Sequence, residues 1–467
     1  MKSLLAILAL SLIDGCAPAG KASPSIGGRS LAVIDVTLIP MGSDSLVPRQ
    51  SVIIRDGLIA EIGPAAAVRI PPDAQRVDGS GRYLMPGLTD AHVHLRDQSE
   101  LLSYLAHGVT TVVQLSGPSG NVSDVIQLRE QVRRGVVPGP TIYTSGPILD
   151  GDPPIFPGVS TVVTTPEEAR QAVDAQLAEG VDLIKVYNNL GAEELRAAVG
   201  AAHERGASVW GHVPRIAGRS TALQRALAAG LDVIAHGEEV FFTLLYQNVE
   251  AQLDRGVAPT VGAEQIAEAV RLIRDHGAAV IPNLAFGAMT RAQLENIDGL
   301  WSDPEAQYLH PAVREMWGQQ NPTRRTDLPR FDLRERGKRI VVKRLTRALN
   351  EAGVLLLLGT DASAPGMFPG KSAWTELSEL VDAGLTPFQA LRTGTSNAGT
   401  FLDRAGPPFG TVTIGSRADL VLLLGNPLAD ISQVEQIAGV VVRGTWYTRG
   451  QIDSMRVALA ARKPFSW

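Results

Sequence analysis

The chain has 467 residues, too long for one small domain but enough for a large α/β barrel with an appendage. Its composition, 45% hydrophobic and 19% charged, is that of an ordinary globular protein, and a net charge of −5 leaves no basic footprint for nucleic acid. A single cysteine excludes any disulfide within the chain.

The first segment reads as a targeting signal rather than as part of a fold. Lys2 precedes a short apolar run over residues 3–13, too short to span a membrane as a helix but suited to the centre of a signal peptide. Cys16 follows directly in "LIDGC". That stretch resembles a bacterial lipoprotein lipobox, which makes residues 1–15 the signal peptide and Cys16 the lipidated first residue of the mature chain. Asp14 departs from the small or apolar residue usual there, and an ordinary cleaved signal peptide or a chance cysteine are the alternatives. Residues 16–30 then form a flexible tether. The expectation is an exported protein on the periplasmic side of the cell envelope, attached to the membrane through a lipid anchor on Cys16. Ala17 offers no aspartate-type signal for inner-membrane retention, which points to outer-membrane sorting.

From Leu31 the pattern is that of strands. "SLAVIDVTLIP" and "QSVIIRDGLIAEIG" alternate apolar and polar residues around turn signals such as Asp56-Gly57. The same pattern returns near the end in "GTVTIGSRADLVLLLG" and "GVVVRGTWYTRG". Residues 31–85 and 406–467 are therefore expected to form one small β-sandwich, the latter with a C-terminal tail, around an inserted domain at 86–405.

The inserted domain repeats a unit in which a helical stretch ends in glycine and a short apolar strand follows: "GVTTVVQL", "GVDLIKVY", "GASVWGHV", "GLDVIAHG", "GAAVIPNL" and "GVLLLLGTD". Glycine suits the left-handed position just past a helix. In "TPEEARQAVDAQLAE", Thr165 is placed to cap a helix, Pro166 to begin it and Glu168 to complete a capping box. With "LTDAHVHL" and "TIYTSGPIL" the strands number eight. Apolar strands alternating with helices imply a parallel sheet, and eight such units a (β/α)8 TIM barrel with its active site at the C-terminal strand ends.

The ionisable residues obey that rule. His92 and His94, two apart on the first strand, share a face. Lys185 lies near the end of the fourth strand, His212 ends the fifth, His236 the sixth and Asp361 the eighth. His107, His203, His276 and His310 fall outside the pattern and read as packing or surface residues. The segment from Gly287 to Arg339, with Trp301, Tyr308, Trp317 and Phe331 among many charges, is longer than an ordinary connection and reads equally as an active-site lid or a helical insertion.

"PGLTDAHVHL", "LIKVY", "GHV", "AHG" and "GTDA", in this order on successive strands, resemble the metal-dependent amidohydrolase superfamily, and within it the branch of imidazolonepropionase-related hydrolases and prolidase-like dipeptidases. The resemblance implies that His92, His94 and Asp361 hold one divalent ion, expected to be zinc, and that His212 and His236 hold a second. Lys185, carboxylated by carbon dioxide, would bridge them. An ammonium group has no lone pair to give, whereas a carbamate supplies two oxygens and a negative charge. A water shared by two such ions loses a proton near neutral pH. Asp361 would then be the general base, returning the proton to the leaving amine. Tyr187, two residues beyond Lys185, reads either as a hydrogen-bond donor to the oxyanion or as packing for the lysine. Arg215 reads either as a clamp for a substrate carboxylate or as an exposed loop residue.

The function expected is cleavage of an amide bond in a dipeptide or an N-acyl amino acid. The alternative is a one-metal deaminase or cyclic-amide hydrolase of the imidazolonepropionase kind. Lys185 argues against it, because such sites usually lack the bridging lysine. Lactonase or phosphotriesterase-like hydrolysis, and a lipid-anchored binding protein on an inactive barrel, are further readings. Barrels of this superfamily often pair, so a homo-oligomer is compatible, although no stretch specifies an interface.

Overall fold

The computed structural model describes residues 30–96, 98–116, 122–216, 218, 221–243, 249–402 and 406–460; Cys16, the apolar run before it and the tether to residue 29 lie outside them. Among the described residues no helix is long and apolar enough to cross a membrane.

The N-terminal strands are β1 (Leu31–Leu38), β2 (Val47–Arg55), β3 (Leu58–Pro64), β4 (Gln75–Asp78) and β5 (Tyr83–Pro86). Asp56 (φ 51°) and Gly57 (φ 79°) form the two-residue turn opposite which Arg55 pairs with Leu58. Strict alternation along β1 would send Leu31 and Val33 to one face and Val36 and Leu38 to the other. A bulge resolves this: the ladder to β2 slips between Val33 and Val36, where Asp35 has φ 56°. All four side chains then join one core with Val52, Ile54, Leu84, Leu420, Leu422 and Val441.

The strands of the barrel region are β6 (Leu88–Val93), β7 (Val109–Gln114), β8 (Thr141–Thr144), β9 (Ile148–Asp150), β10 (Ser160–Val162), β11 (Leu183–Val186), β12 (Ser208–Gly211), β13 (Val233–Ile234) and β14 (Ala279–Val280). Among the described residues β10 pairs with β9 alone and stands outside the ring of eight staves. Their ladders are parallel throughout, as the apolar runs require. The stretch "TIYTSGPIL" is one stave broken at Gly146-Pro147 into β8 and β9; Ser145 bridges to Leu183 and Leu149 pairs with Val186. The last stave, residues 354–361, is extended without a continuous ladder. It closes the ring through bridges from Leu356 to Val280 and from Ala362 to Val93. Gly359 lets it lie close: a Cβ there would come within 2.6 Å of Ile281 and 3.0 Å of the His92 Cβ.

Alternation sorts the side chains. Ala91, Val113, Leu183, Trp210, Val233, Ala279 and Leu357 fill the barrel interior, with Trp210 Nε1 donating to Ser208 Oγ at 2.8 Å. Val112, Ile184, Val209, Ile234 and Leu356 face outward against the helices. Gly180 (φ 98°) and Gly230 (φ 94°) end helices in the left-handed conformation that the repeat predicts. Thr165 caps the helix Pro166–Glu179 as expected, accepting from the Glu168 N–H at 3.2 Å. The Glu168 carboxylate departs from the capping-box pattern and bonds Thr164 N and Oγ1 instead, at 2.7 and 2.9 Å.

The segment 287–339 lies within helices Leu284–Glu295, Ile297–Ser302, Pro311–Gln319 and Leu328–Glu351 and their short connections. Trp317 is its anchor: 1% exposed, it packs with Leu300, Leu309, Val313 and Phe368, and its Nε1 donates to Ser363 O at 3.0 Å. This is a packed helical insertion resting on the loop that follows Asp361.

The last strands, β15 (Leu420–Leu423), β16 (Ile437–Val442) and β17 (Thr445–Thr448), return to the small domain. β15 pairs antiparallel with β5, Leu422 opposite Leu84, so that one sheet runs β17-β16-β15-β5-β1-β2-β3 with β4 also on β1. The fold is the expected TIM barrel with a β-sandwich domain built from both ends of the chain.

Candidate metal centre

The six ionisable residues that the strand ends carry meet at one mouth of the barrel. Asp361 Oδ1 lies 2.9 Å from His94 Nε2 and 3.3 Å from His92 Nε2. One donor atom from each of the three falls within 4.8 Å of the others. The rings continue the cluster: His92 to His236 at 4.6 Å between centroids, and His236 to His212 at 4.7 Å. Lys185 is 1% exposed, and its charge is felt at His92, His212, His236 and Asp361.

Each ring is oriented from behind, as metal-binding imidazoles are. His94 Nδ1 faces the carbonyl of Ser116 at 3.0 Å, and His92 Nδ1 that of Ala235 at 3.4 Å. His212 Nδ1 lies 3.0 Å from Glu239 Oε1, an electrostatic contact without hydrogen-bond geometry. His236 Nδ1 is 3.0 Å from the side-chain amide of Asn283. The opposite nitrogen of each ring is thereby left for the centre.

The electrostatics suit cation ligands. Burial, reinforced by the charge of Lys185, holds His92 and His212 well below the ordinary histidine range. Burial and the neighbouring His212 hold His236 near 4. Neutral imidazoles are the form that binds metal. Burial alone would raise Asp361, but its hydrogen bond to His94 and the surrounding positive groups outweigh it and hold the carboxyl at about 2. Burial brings Lys185 down to about 8, against the opposing pull of Asp361 and Glu239. His92 Nε2 is buried without a hydrogen-bond partner, an arrangement that costs stability unless a cation takes the lone pair. The donor set fits divalent metal.

Tyr187 stands beside the histidines, its ring 3.9 Å from that of His212. Arg215 is not an exposed loop residue. Its side chain is 17% exposed, lies 3.4 Å from Glu239 Oε1 and sits over the ring of Phe242 at 5.3 Å. The remaining histidines take local partners: His107 Nδ1 with Ser103 O, His203 with Asp232, His276 with Leu272 O and His310 capping Ala312 N. A cavity of about 1050 Å³ lined by Arg129, Tyr143, Arg205 and Arg443 opens at the other end of the strands and contains none of the six.

Sequence reasoning missed Asp90, Glu239, Asn283 and Thr360. Asp90 carried a signal, since it alternates with His92 and His94 and so shares their face. Asn283 ends "IPN" on the seventh stave, the position at which the fifth, sixth and eighth carry ligands. Glu239 lies three residues past His236, in the first turn of a helix, where no strand rule applies.

The amidohydrolase family profile matches residues 83–447. The adenine deaminase of Ruegeria pomeroyi is 28% identical over 189 residues, 38% of this chain and 30% of its own, so the chain spans less than a third of that relative. The imidazolonepropionase of Stenotrophomonas maltophilia is 27% identical over 406 residues, covering 83% of this chain and 89% of that one. Among solved structures, a prolidase candidate from Bifidobacterium longum is similar with a TM-score of 0.67 and 26% identity, over 93% of this chain and 99% of that one. With the match spanning the whole barrel together with β5, β15 and β16 of the small domain, the chain belongs to the amidohydrolase family.

Proposed function

We propose that this protein hydrolyses an amide bond in dipeptides or N-acyl amino acids at a two-metal centre. The observation that carries the reading is Lys185, 1% exposed and set among His92, His212, His236 and Asp361, where burial disfavours a simple ammonium. His92, His94 and Asp361 would hold one ion, His212 and His236 the other, and carboxylated Lys185 would join them. Bound divalent ions supply Lewis acidity and lower the pKa of water, with zinc the expected metal.

The remaining work falls to the chain itself. Asp361 is ionised across the neutral range, so its Oδ1 can accept the proton of the attacking water and hand it to the leaving nitrogen. Glu239 and Asn283 fix the two later rings. Tyr187, with a phenol that burial keeps protonated, can donate to the oxygen on which charge develops.

Metal analysis of wild type and Lys185→Ala tests the reading. About two ions per chain, falling sharply in the variant together with cleavage of dipeptides and N-acyl amino acids, is expected. One ion per chain, indifferent to the substitution, overturns it. That outcome favours a one-metal deaminase or cyclic-amide hydrolase, a second reading supported by the likeness to imidazolonepropionase and by the tightness of the His92, His94 and Asp361 group alone. For the N-terminal segment we propose export and lipidation at Cys16. Cys16→Ser should move the protein out of the membrane fraction, and unchanged retention refutes the anchor.

A further inference from the structure

The mouth of the centre has an apolar wall on one side. The loop between β9 and β10 reads "GDPPIFPGV", with prolines on both sides of Ile155 and Phe156. Both side chains are open to solvent, at 44% and 47% exposure. Phe156 nevertheless has a fixed place: its ring meets that of Tyr187 edge to face at 5.5 Å, and Tyr187 in turn lies 3.9 Å from the ring of His212. A continuous aromatic surface therefore runs from a proposed metal ligand out to solvent.

The loop is held rigidly. Asp150, fully buried, accepts from Gly151 N at 3.0 Å, Asn189 N at 2.7 Å and Ile155 N at 2.8 Å. Asn189 Nδ2 closes the arrangement by donating to Pro153 O at 2.8 Å. Gly151 passes so near Asn189 O that a Cβ would sit 1.9 Å from it. Two large apolar side chains stand exposed on a loop tied down by four hydrogen bonds, so the free energy of burying them is gained only when a ligand covers them. The ties mean that little ordering entropy is lost at that moment.

We infer that Phe156 and Ile155 form a specificity subsite that receives a large apolar, preferably aromatic, side chain flanking the scissile amide. The inference rests on the proposed amide hydrolysis and adds to it the class of substrate side chain. Glycine at that place leaves the wall wet, and a charged side chain is desolvated against it without a partner.

The test compares kcat/KM for paired substrates, Gly-Phe against Gly-Gly and N-acetyl-phenylalanine against N-acetylglycine, in wild type, Phe156→Ala and Phe156→Leu. The wild type should favour the phenylalanine member, Phe156→Ala should lower that preference about tenfold, and Phe156→Leu should retain most of it. Calorimetric binding of N-acetyl-phenylalanine and N-acetylglycine to the metal-loaded protein reads the same wall without turnover. Cleavage of these substrates with a preference unmoved by Phe156→Ala overturns the subsite and leaves the amidohydrolase reading intact. Absence of any cleavage, with phenylalanine-selective binding that Phe156→Ala abolishes, overturns the reaction and supports the subsite. Equal binding of both ligands in wild type overturns the subsite whatever the reaction.

Discussion

Asp90 touches no reacting atom, yet it joins the two staves that carry the tightest part of the centre. Its Oδ1 accepts from His92 N at 3.2 Å and Thr360 N at 3.0 Å, and its Oδ2 from the Thr360 hydroxyl at 2.6 Å. Replacing it by alanine leaves buried N–H groups at 92 and 360 unpaired, which should cost about 2–3 kcal/mol and loosen His92 relative to Asp361. A lower melting temperature and a lower metal content are expected for Asp90→Ala, with Asp90→Asn in between. Unaltered metal content in the alanine variant would show that the staves need no such tie. Glu239 plays the corresponding part for His212, and is itself approached by Arg215. Glu239→Gln keeps the shape and removes the charge, so metal affinity should fall about 10–100-fold in a competition titration, most of it at the His212 side. All six proposed ligands were legible from strand-end position because a strand rule needs only the local period. Glu239 and Asn283 were not, because their roles are defined by which ring they back, a tertiary fact.

At the scale of elements, the helical insertion depends on a buried acid. Glu376, on the helix Lys371–Asp382, is fully buried and accepts from Ala285 N, in the first turn of the insertion's opening helix and two residues beyond Asn283. Burial pushes its carboxyl up to about 8 from an ordinary 4.5, so the folded protein holds this proton more tightly than the unfolded chain does. The resulting stabilisation is complete below about pH 4.5 and is lost as pH rises through 8. Glu376→Gln fixes the neutral form. Its melting temperature should fall less between pH 5 and 8 than that of the wild type, and should exceed the wild type's at pH 8. Parallel melting curves for the two proteins would assign the pH dependence elsewhere. The repeat of helix, glycine and apolar strand made the barrel legible, since each unit carries its own start and stop signals. The insertion was legible only as a length: its anchor, Trp317, meets Ser363 across 46 residues of sequence, and no local period encodes such a contact. The bulge at Asp35 likewise lies outside any strict alternation, and only the shared core of Val36 and Leu38 with Leu31 and Val33 explains it.

At the scale of the whole molecule, the two ends of the chain hold each other and the barrel floor. The ladder between β5 and β15 joins the N-terminal strands to the C-terminal ones. Arg443, between β16 and β17, reaches Thr141 Oγ1 at 3.3 Å, Val132 O at 3.0 Å and Gly139 O at 3.2 Å, and Arg417 reaches Thr111 Oγ1 at 2.8 Å. A chain ending at Leu402 lacks Leu420, Leu422 and Val441 from the small core and exposes the edge of β5. It should be insoluble or lack a cooperative melting transition; a soluble truncated barrel with its metals in place would show the closure to be dispensable. The same ladder sets a timetable. A ribosome delivers β5 early and its partner β15 only after every stave of the barrel, so the nascent molecule carries an open strand edge through most of its own synthesis. Completion of the first domain thus waits on the last strands, and whatever shields that edge in the interval governs how much of the protein reaches its folded form.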